Sequence, residues 1–87
     1  MFSGSAEGIE LKCDNRILEE MFDRFGEKTD TRVADENSFL LRAEAAVNDG
    51  LVGWLLQFGD RIEVVKPEAL RERVKERAAS ILEVYGK

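Results

Sequence analysis

The residues whose side chains could do chemistry are few in this sequence, and they do not form a catalytic set. The 87 residues contain no histidine and a single cysteine. Histidine is the usual general base near neutral pH and the commonest metal ligand, so simple acid–base or metal chemistry has no obvious carrier. The cysteine, Cys13, ends an alternating run in which Ile9 and Leu11 lie on its side of a strand. We interpret it as a buried small hydrophobic residue and not as a nucleophile.

Acidic residues are more numerous, but their spacing is not that of a metal-binding loop. The neighbouring acids are Glu19-Glu20, Asp35-Glu36, and Asp60 with Glu63. None of them belongs to a D-x-D-x-D-G run, and the sequence has no glycine-rich phosphate loop or serine–histidine pair. Such carboxylates are usually solvated on the surface. We therefore predict no catalytic residues, no metal site, no cofactor and no enzymatic activity.

The elements that would position these side chains alternate between strands and helices. Period-two and helical spacings of apolar residues distinguish the two types. The predicted strands are 8–13, 27–34, 38–47 and 62–66, and the predicted helices are 16–25, 51–58 and 67–85. In the weak second strand, Thr29, Thr31 and Val33 would face inward, which suits an edge strand. The order is that of a ferredoxin-like βαββαβ sandwich with an added C-terminal helix, an α+β fold. Residues 8–87 would form this one domain, and residues 1–7 a linker or expression remnant.

The terminal helix carries an apolar pattern and a charged one. The apolar residues predict a buried stripe made of Leu70, Val74, Ala78, Ile81, Leu82 and Tyr85. The basic residues Arg71, Arg73 and Lys75 have glutamates at helical spacing: Glu68, Glu72 and Glu76. Ion pairs along a solvated helix face are therefore a better interpretation than contact with DNA. The net charge of −5 also disfavours nonspecific binding of nucleic acid.

The most promising candidate site is the sheet face that the helices would leave open. If Ile9 and Leu11 face the helices, Lys12, Arg32 and Arg42 lie on the opposite face. The first and third strands of a ferredoxin-like sheet are adjacent, so Lys12 and Arg42 should be near neighbours. Cations among apolar groups could hold an anion, a nucleotide or a partner subunit. In the competing interpretation, the carboxylates of Glu10, Glu44 and Glu63 neutralise these cations, and the terminal helix covers the apolar part.

The second half of the sequence resembles a known family. The residues that carry the resemblance are Val52-Gly53-Trp54-Leu55-Leu56-Gln57-Phe58-Gly59-Asp60, then Ile62-Glu63-Val64-Val65-Lys66-Pro67, Leu70-Arg71 and the late Tyr85. They look like the signature of the WCX module, the C-terminal extension of bacterial WYL-domain transcriptional regulators. In that family an N-terminal winged helix-turn-helix domain binds DNA, and a middle WYL domain is thought to sense a ligand. This chain contains neither.

The resemblance implies a regulatory module for effector sensing and dimerisation that does not itself bind DNA. Its partners would be its own N-terminal WYL and helix-turn-helix domains, a second copy in a homodimer, and a small-molecule or nucleic-acid effector. DNA would be reached only through the absent N-terminal domain. The resemblance supplies no site residues. The alternative is a free-standing small-molecule-binding domain resembling ACT modules, which share the βαββαβ plan. With no signal peptide and no membrane-spanning run, we expect a cytoplasmic protein.

Overall fold

Strands and helices alternate along the chain in the computed structural model, which describes residues 6–26 and 29–86. The elements are β1 (Ala6–Asp14), α1 (Leu18–Phe25), β2 (Asp30–Asp35), β3 (Ser38–Ala46), α2 (Asp49–Leu56), β4 (Ile62–Lys66) and α3 (Glu68–Tyr85). Single turns of 3-10 helix at Asn15–Ile17 and Gly59–Arg61 precede α1 and β4. The predicted α+β class is confirmed. None of the helices in the described ranges combines the length and apolar character needed to cross a membrane.

The strands form one antiparallel sheet in the order β2-β3-β1-β4. In the central pair, Leu11 lies opposite Leu41 and Cys13 opposite Phe39. The first and third strands are therefore adjacent, as predicted. β2 pairs with β3 and β4 pairs with β1, so β2 and β4 form the two edges.

The core lies between one face of the sheet and the helices. Strand residues that alternate along the sequence point to this face, as the period of a strand requires. The buried apolar residues of the sheet are Ile9, Leu11, Cys13, Phe39, Leu41 and Val64. Those of the helical segments are Ile17, Met21, Leu51, Val52, Leu55 and Leu70. Burial of a side chain of this size contributes about 1.5–3 kcal/mol, so this layer supplies most of the stability.

Side-chain caps determine where two of the helical segments begin. The Asp14 carboxylate accepts a hydrogen bond from the Arg16 backbone N–H at 2.8 Å, and the Asn48 side chain accepts one from the Leu51 N–H at 2.9 Å. At the start of α3, the carbonyl of Pro67 accepts hydrogen bonds from the N–H groups of residues 70 and 71. Pro67 is thus the residue before α3, and not part of its first turn as predicted.

The edge strand β2 differs from its prediction in length and cover. It begins at Asp30, and residues 27 and 28 of the predicted strand lie outside the described residues. The predicted phase is correct, because Thr31 lies opposite Leu41 and Val33 opposite Phe39. The helices do not extend over this edge, however, and Val33 is 86% exposed.

The terminal helix α3 departs furthest from its prediction. Leu70 is fully buried and Val74 partly, but Leu82 is 70% and Tyr85 82% exposed. The predicted buried stripe is therefore wrong beyond Val74, where Ala78 and Ile81 are exposed as well. The reason is length. Helix α3 has 18 residues, about 27 Å, whereas its neighbour α2 has 8, about 12 Å. Among residues 6–26 and 29–86, no element lies beneath the second half of α3, which projects from the domain.

Candidate functional site

The sheet face turned away from the helices, called the open face below, carries two rows of side chains. Directly opposed residues of antiparallel strands lie on the same face, so the register defines the rows. One row consists of Arg32, Leu40, Lys12 and Glu63, and the next of Asp30, Arg42, Glu10 and Lys66. Cations and carboxylates alternate along the second row. The open face is therefore a surface of mixed charge and not a purely cationic one.

All three predicted site residues lie on the open face, but in different surroundings. Lys12 and Arg42 are diagonal neighbours on the two central strands, as predicted. Arg32 is on the edge strand, separated from Lys12 by β3. The structure thus brings two of the three together and places the third at the rim.

Ion pairs hold the two central cations loosely. The Lys12 amine lies 3.7 Å from the Asp35 carboxylate, and the Arg42 guanidinium lies 3.9 Å from that of Glu10. Their side chains are 44% and 59% exposed, and exposed pairs of this kind contribute about 0–1 kcal/mol. The carboxylate of Glu63 instead pairs with Arg71 at 3.0 Å. A ligand could exchange with these partners at little cost.

Two depressions adjoin these residues. One, of about 330 Å³, is bordered by the charged side chains of Arg42, Lys66, Glu10 and Glu44. Two cations and two carboxylates around one depression complement a small molecule that carries both signs of charge. The other, of about 550 Å³, lies at the end of the sheet and includes Lys12 and Arg61 among its lining residues. Its acidic lining residues are Asp14, Asp35, Glu36, Asp60 and Glu63.

Two acids of the second depression, Asp14 and Asp35, have a lowered pKa. Two hydrogen bonds from the Arg16 guanidinium, at 2.8 and 3.0 Å, lower the pKa of Asp14 to about 2. The pKa of Asp35 is also lowered, first by the backbone N–H of Asn37 at 2.8 Å and further by the Lys12 charge. Such a depression repels anions. Within residues 6–26 and 29–86, no group of three or more acidic, histidine or cysteine side chains could hold a metal ion.

The sulfur of Cys13 lies on the other side of the sheet, in the core. The residue is 1% exposed, and burial raises the pKa of its thiol to about 12. A thiol in that state is a packing group and not a nucleophile.

A second candidate surface, which the pattern of the sequence did not predict, lies on the projecting half of α3. We call it the free stripe; it consists of Ala78, Ile81, Leu82, Val84 and Tyr85. Its four larger members are between 43% and 82% exposed. A contiguous exposed apolar patch of this kind marks an interaction site in most proteins. The only signal in the sequence was the difference in length between the terminal helix and the elements available to cover it.

Two arginines hold the base of this helix in place. The Arg71 guanidinium donates to the Val64 carbonyl at 2.8 Å and to the Glu63 carboxylate at 3.0 Å. The Arg73 guanidinium donates to the Asp49 carboxylate at 2.5 Å and to the carbonyl of residue 47 at 3.4 Å. Their predicted pairing with glutamates of the same helix is therefore wrong. These contacts tie α3 to β4 and α2 and give the projecting half a fixed direction.

The aromatic residues of the signature that runs from Val52 to Asp60 pack between the two shorter helices. The Trp54 ring meets Phe25 edge-on at 5.5 Å and Phe58 at 5.0 Å, and the Arg24 guanidinium lies 5.0 Å from its centre. Aromatic pairs and cation–π contacts of this kind each contribute about 0.5–1.5 kcal/mol. The signature thus describes the packing of α2 on α1 and not a ligand site.

Comparison with known proteins agrees with this signature. A search of curated proteins gave no match to the chain. The family model of the WCX domain, a C-terminal domain of WYL regulators, matches residues 5–82. That match spans nearly the whole chain, and so the chain belongs to the WCX domain family.

Proposed function

We propose that this chain is the C-terminal regulatory module of a bacterial, cytoplasmic WYL-type transcriptional regulator. It associates with the regulator's other domains and with a second copy, and it does not itself bind DNA or catalyse a reaction. Membership of the WCX family supports the regulatory context. The observation that carries the association role is the free stripe of α3, since an apolar surface held on a fixed helix needs a partner to cover it.

The topology supports a ferredoxin-like assignment within this proposal. The elements follow the order β-α-β-β-α-β, and the sheet order β2-β3-β1-β4 places β1 between the strands that flank α2. This order is consistent with a split βαβ arrangement. Helix α3 is the addition to it, and it lies at the β4 edge, where Arg71 bonds to Val64.

The partner proposed for the free stripe is the WYL domain of the same regulator. Lys75 and Arg77 flank the stripe on the same helix, so the complementary surface should be an apolar groove with an acidic rim. DNA is a poor candidate, because phosphate contacts require cations and the exposed end of this helix is apolar.

Nuclear magnetic resonance can test this docking. The isotope-labelled chain would be titrated with the separately expressed WYL domain of its regulator, and amide shifts are expected in residues 77–86. Leu82→Glu should weaken binding by about tenfold or more, because it buries a charge in an apolar contact. The matched control is Glu83→Gln, on the opposite side of the helix, which should bind normally. Shifts confined to the open face, or equal binding by both variants, would refute docking through the stripe.

A small-molecule effector is the second candidate function, whether within the regulator or in a free-standing ACT-like domain. The depression beside Arg42 favours it, because Arg42 and Lys66 can hold a carboxylate while Glu10 and Glu44 hold an amine. That pattern suits an amino acid or a similar zwitterion.

Thermal denaturation in the presence of candidate effectors tests this second function. Amino acids, nucleotides and short single-stranded DNA would be compared, since a ligand that prefers the folded state raises the melting temperature. An amino acid should raise it, and Arg42→Ala should abolish the shift while Arg77→Ala retains it. Identical shifts for the two variants would show that the ligand binds elsewhere.

A further inference from the structure

The two edges of the sheet differ in how they are protected. At the β4 edge, the Arg71 guanidinium donates a hydrogen bond to the Val64 carbonyl at 2.8 Å, and Pro67 follows the strand. At the β2 edge, the backbone of residues 30–34 has no hydrogen-bond partner other than β3 within the described part of the chain. Unpaired N–H and C=O groups along an edge strand form a template for another strand.

The side chains of β2 are uncovered too. Val33 lies opposite buried Phe39, on the side of the sheet that carries the core, and yet it is 86% exposed. On the open face, neither Asp30 nor Arg32 forms an ion pair with another described residue. The edge therefore offers an apolar residue on one face and, on the other, two opposite charges that have no ion-pair partner among the described residues.

The order of these residues makes β2 complementary to itself. In an antiparallel pair of β2 strands whose two-fold axis passes through Thr31, Asp30 of each copy lies opposite Arg32 of the other. Thr31 meets its own counterpart, and Val33 lies beside Thr29 of the second copy. Opposite charges and threonine pairs in these positions stabilise a sheet.

Other registers do not have this complementarity. A shift that brings the axis to Arg32 places the two guanidinium groups against each other, which is destabilising. A shift that brings it to Val33 leaves Arg32 opposite Ala34, where the ladder to β3 is already irregular between Val33 and Asp35. Only the axis at Thr31 pairs both charges.

We infer that β2 pairs antiparallel with β2 of a second copy of this chain, joining the two sheets into one continuous sheet of eight strands. Asp30 and Arg32 form reciprocal ion pairs across the two-fold axis. Both helical layers then lie on the same side of the joined sheet. The β2 edge would then be the interface of the homodimer in the proposed function, and it would form independently of docking through α3.

The contact is short, since residues 29–33 are the part of the edge free of the irregularity. Interfaces well below about 1,200 Å² are characteristic of weak, reversible association. The dimer should therefore form in a concentration-dependent way in the isolated chain. In a full-length regulator, attachment to other domains that dimerise would raise the effective concentration and strengthen it.

Charge reversal provides the test, by sedimentation velocity over a range of concentrations. Arg32→Asp and Asp30→Arg should each weaken dimerisation by about tenfold or more, because the symmetry places like charges at two positions. The two variants mixed in equal amounts should form a heterodimer, since the D30R copy then supplies both cations and the R32D copy both carboxylates. The double variant D30R/R32D should dimerise like the unsubstituted chain.

Other outcomes overturn the inference. A chain that stays monomeric at millimolar concentration has no such interface. If Arg32→Asp and Asp30→Arg each still dimerise, or if the two variants do not associate when mixed, Asp30 and Arg32 do not pair across the interface. Loss of self-association in Leu82→Glu but not in Arg32→Asp would assign the dimer to α3 instead. Circular dichroism melts of each variant exclude misfolding, which is not expected for substitutions at exposed positions.

Discussion

Leu70→Ala should destabilise the domain by several kcal/mol, whereas Leu82→Ala in the same helix should hardly affect it. Leu70 is fully buried at the base of α3, and Leu82 is 70% exposed on the free stripe. Both substitutions remove the same three carbon atoms from one helix. The difference between their effects therefore measures how far α3 is covered by the rest of the chain.

The magnitudes follow from burial. Removing three buried carbons from Leu70 costs about 2.4 kcal/mol in transfer free energy, and the cavity raises the loss to about 2.5–5 kcal/mol. Less than a third of Leu82 is covered, so its loss is about 0.7 kcal/mol at most, partly offset by the higher helix propensity of alanine. A domain of this size is stable by roughly 4–13 kcal/mol. The melting temperature should therefore fall by roughly 10–40 °C for Leu70→Ala and by only a few degrees for Leu82→Ala.

Urea denaturation followed by the fluorescence of Trp54 and by far-UV circular dichroism gives both free energies. Trp54 is half-buried between two phenylalanine rings, so its emission should change when the helices separate. Each variant should be measured at two protein concentrations. An equal and concentration-independent loss for the two variants would refute a projecting α3, because the second half of the helix would then be packed within its own chain.

Three further predictions concern single contacts. Cys13 should not react with iodoacetamide at pH 8 in the folded chain and should react only in urea, because it is 1% exposed and its thiol has a pKa of about 12. Rapid labelling without denaturant would contradict its burial. The hydrogen bonds from Arg16 lower the pKa of Asp14 from 3.8 to about 2, so the contribution of Asp14 to stability is present above pH 4 and is lost as the pH falls towards 2. In Asp14→Asn, the urea concentration at the unfolding midpoint should therefore fall less steeply as the pH is lowered from 4 to 2. Parallel curves of midpoint against pH for the two proteins would contradict the shift in pKa. Arg73→Ala should lower the free energy of unfolding by about 1 kcal/mol, because Arg73 links α3 to Asp49 and to the carbonyl of residue 47. The control variant Arg77→Ala should change that free energy by no more than about 0.5 kcal/mol. Equal urea midpoints for the two variants would show that the contacts of Arg73 do not contribute to stability.

The alternation of apolar and polar residues was sufficient to predict the strands and the face of the sheet on which each of their residues lies. Alternation put Ile9 and Leu11 in the core and Lys12 on the open face, because a strand has only two faces and one of them must be apolar. The cap at Asn48 was predictable for a similar reason, since its side chain satisfies an N–H group that the helix leaves unpaired.

The free stripe could not be predicted in the same way. Apolar residues at helical spacing have the same pattern whether the helix packs on its own chain or on another. What decides between the two is the length of the surface beneath the helix, which depends on tertiary structure. Leu70 and Leu82 illustrate this, because they occupy similar places in the pattern and differ from 0% to 70% in exposure.

Ion-pair partners were unpredictable for a related reason. The glutamates beside Arg71 and Arg73 in the sequence were the natural candidates, but the guanidinium groups bond to Glu63 and Asp49 on other elements. A pair within a helix contributes only about 0.2–0.5 kcal/mol. An arginine that also reaches a backbone carbonyl makes an additional hydrogen bond, and this outweighs proximity along the chain.

The two surfaces proposed for association lie at opposite edges of the sheet, and the effector depression adjoins one of them through Arg42, which lies opposite Asp30. Helix α3 lies at the β4 edge and the dimer contact at the β2 edge, which are three strand spacings apart, about 14 Å. Asp30 lies opposite Arg42 in its own chain and, in the proposed dimer, opposite Arg32 of the second copy. An anionic group bound at Arg42 would neutralise that cation and leave the Asp30 carboxylate to pair with Arg32 of the second copy, which should strengthen the dimer contact. Because such coupling is reciprocal, an effector that strengthens the β2 contact must bind the dimer more tightly than the monomer, by the same factor.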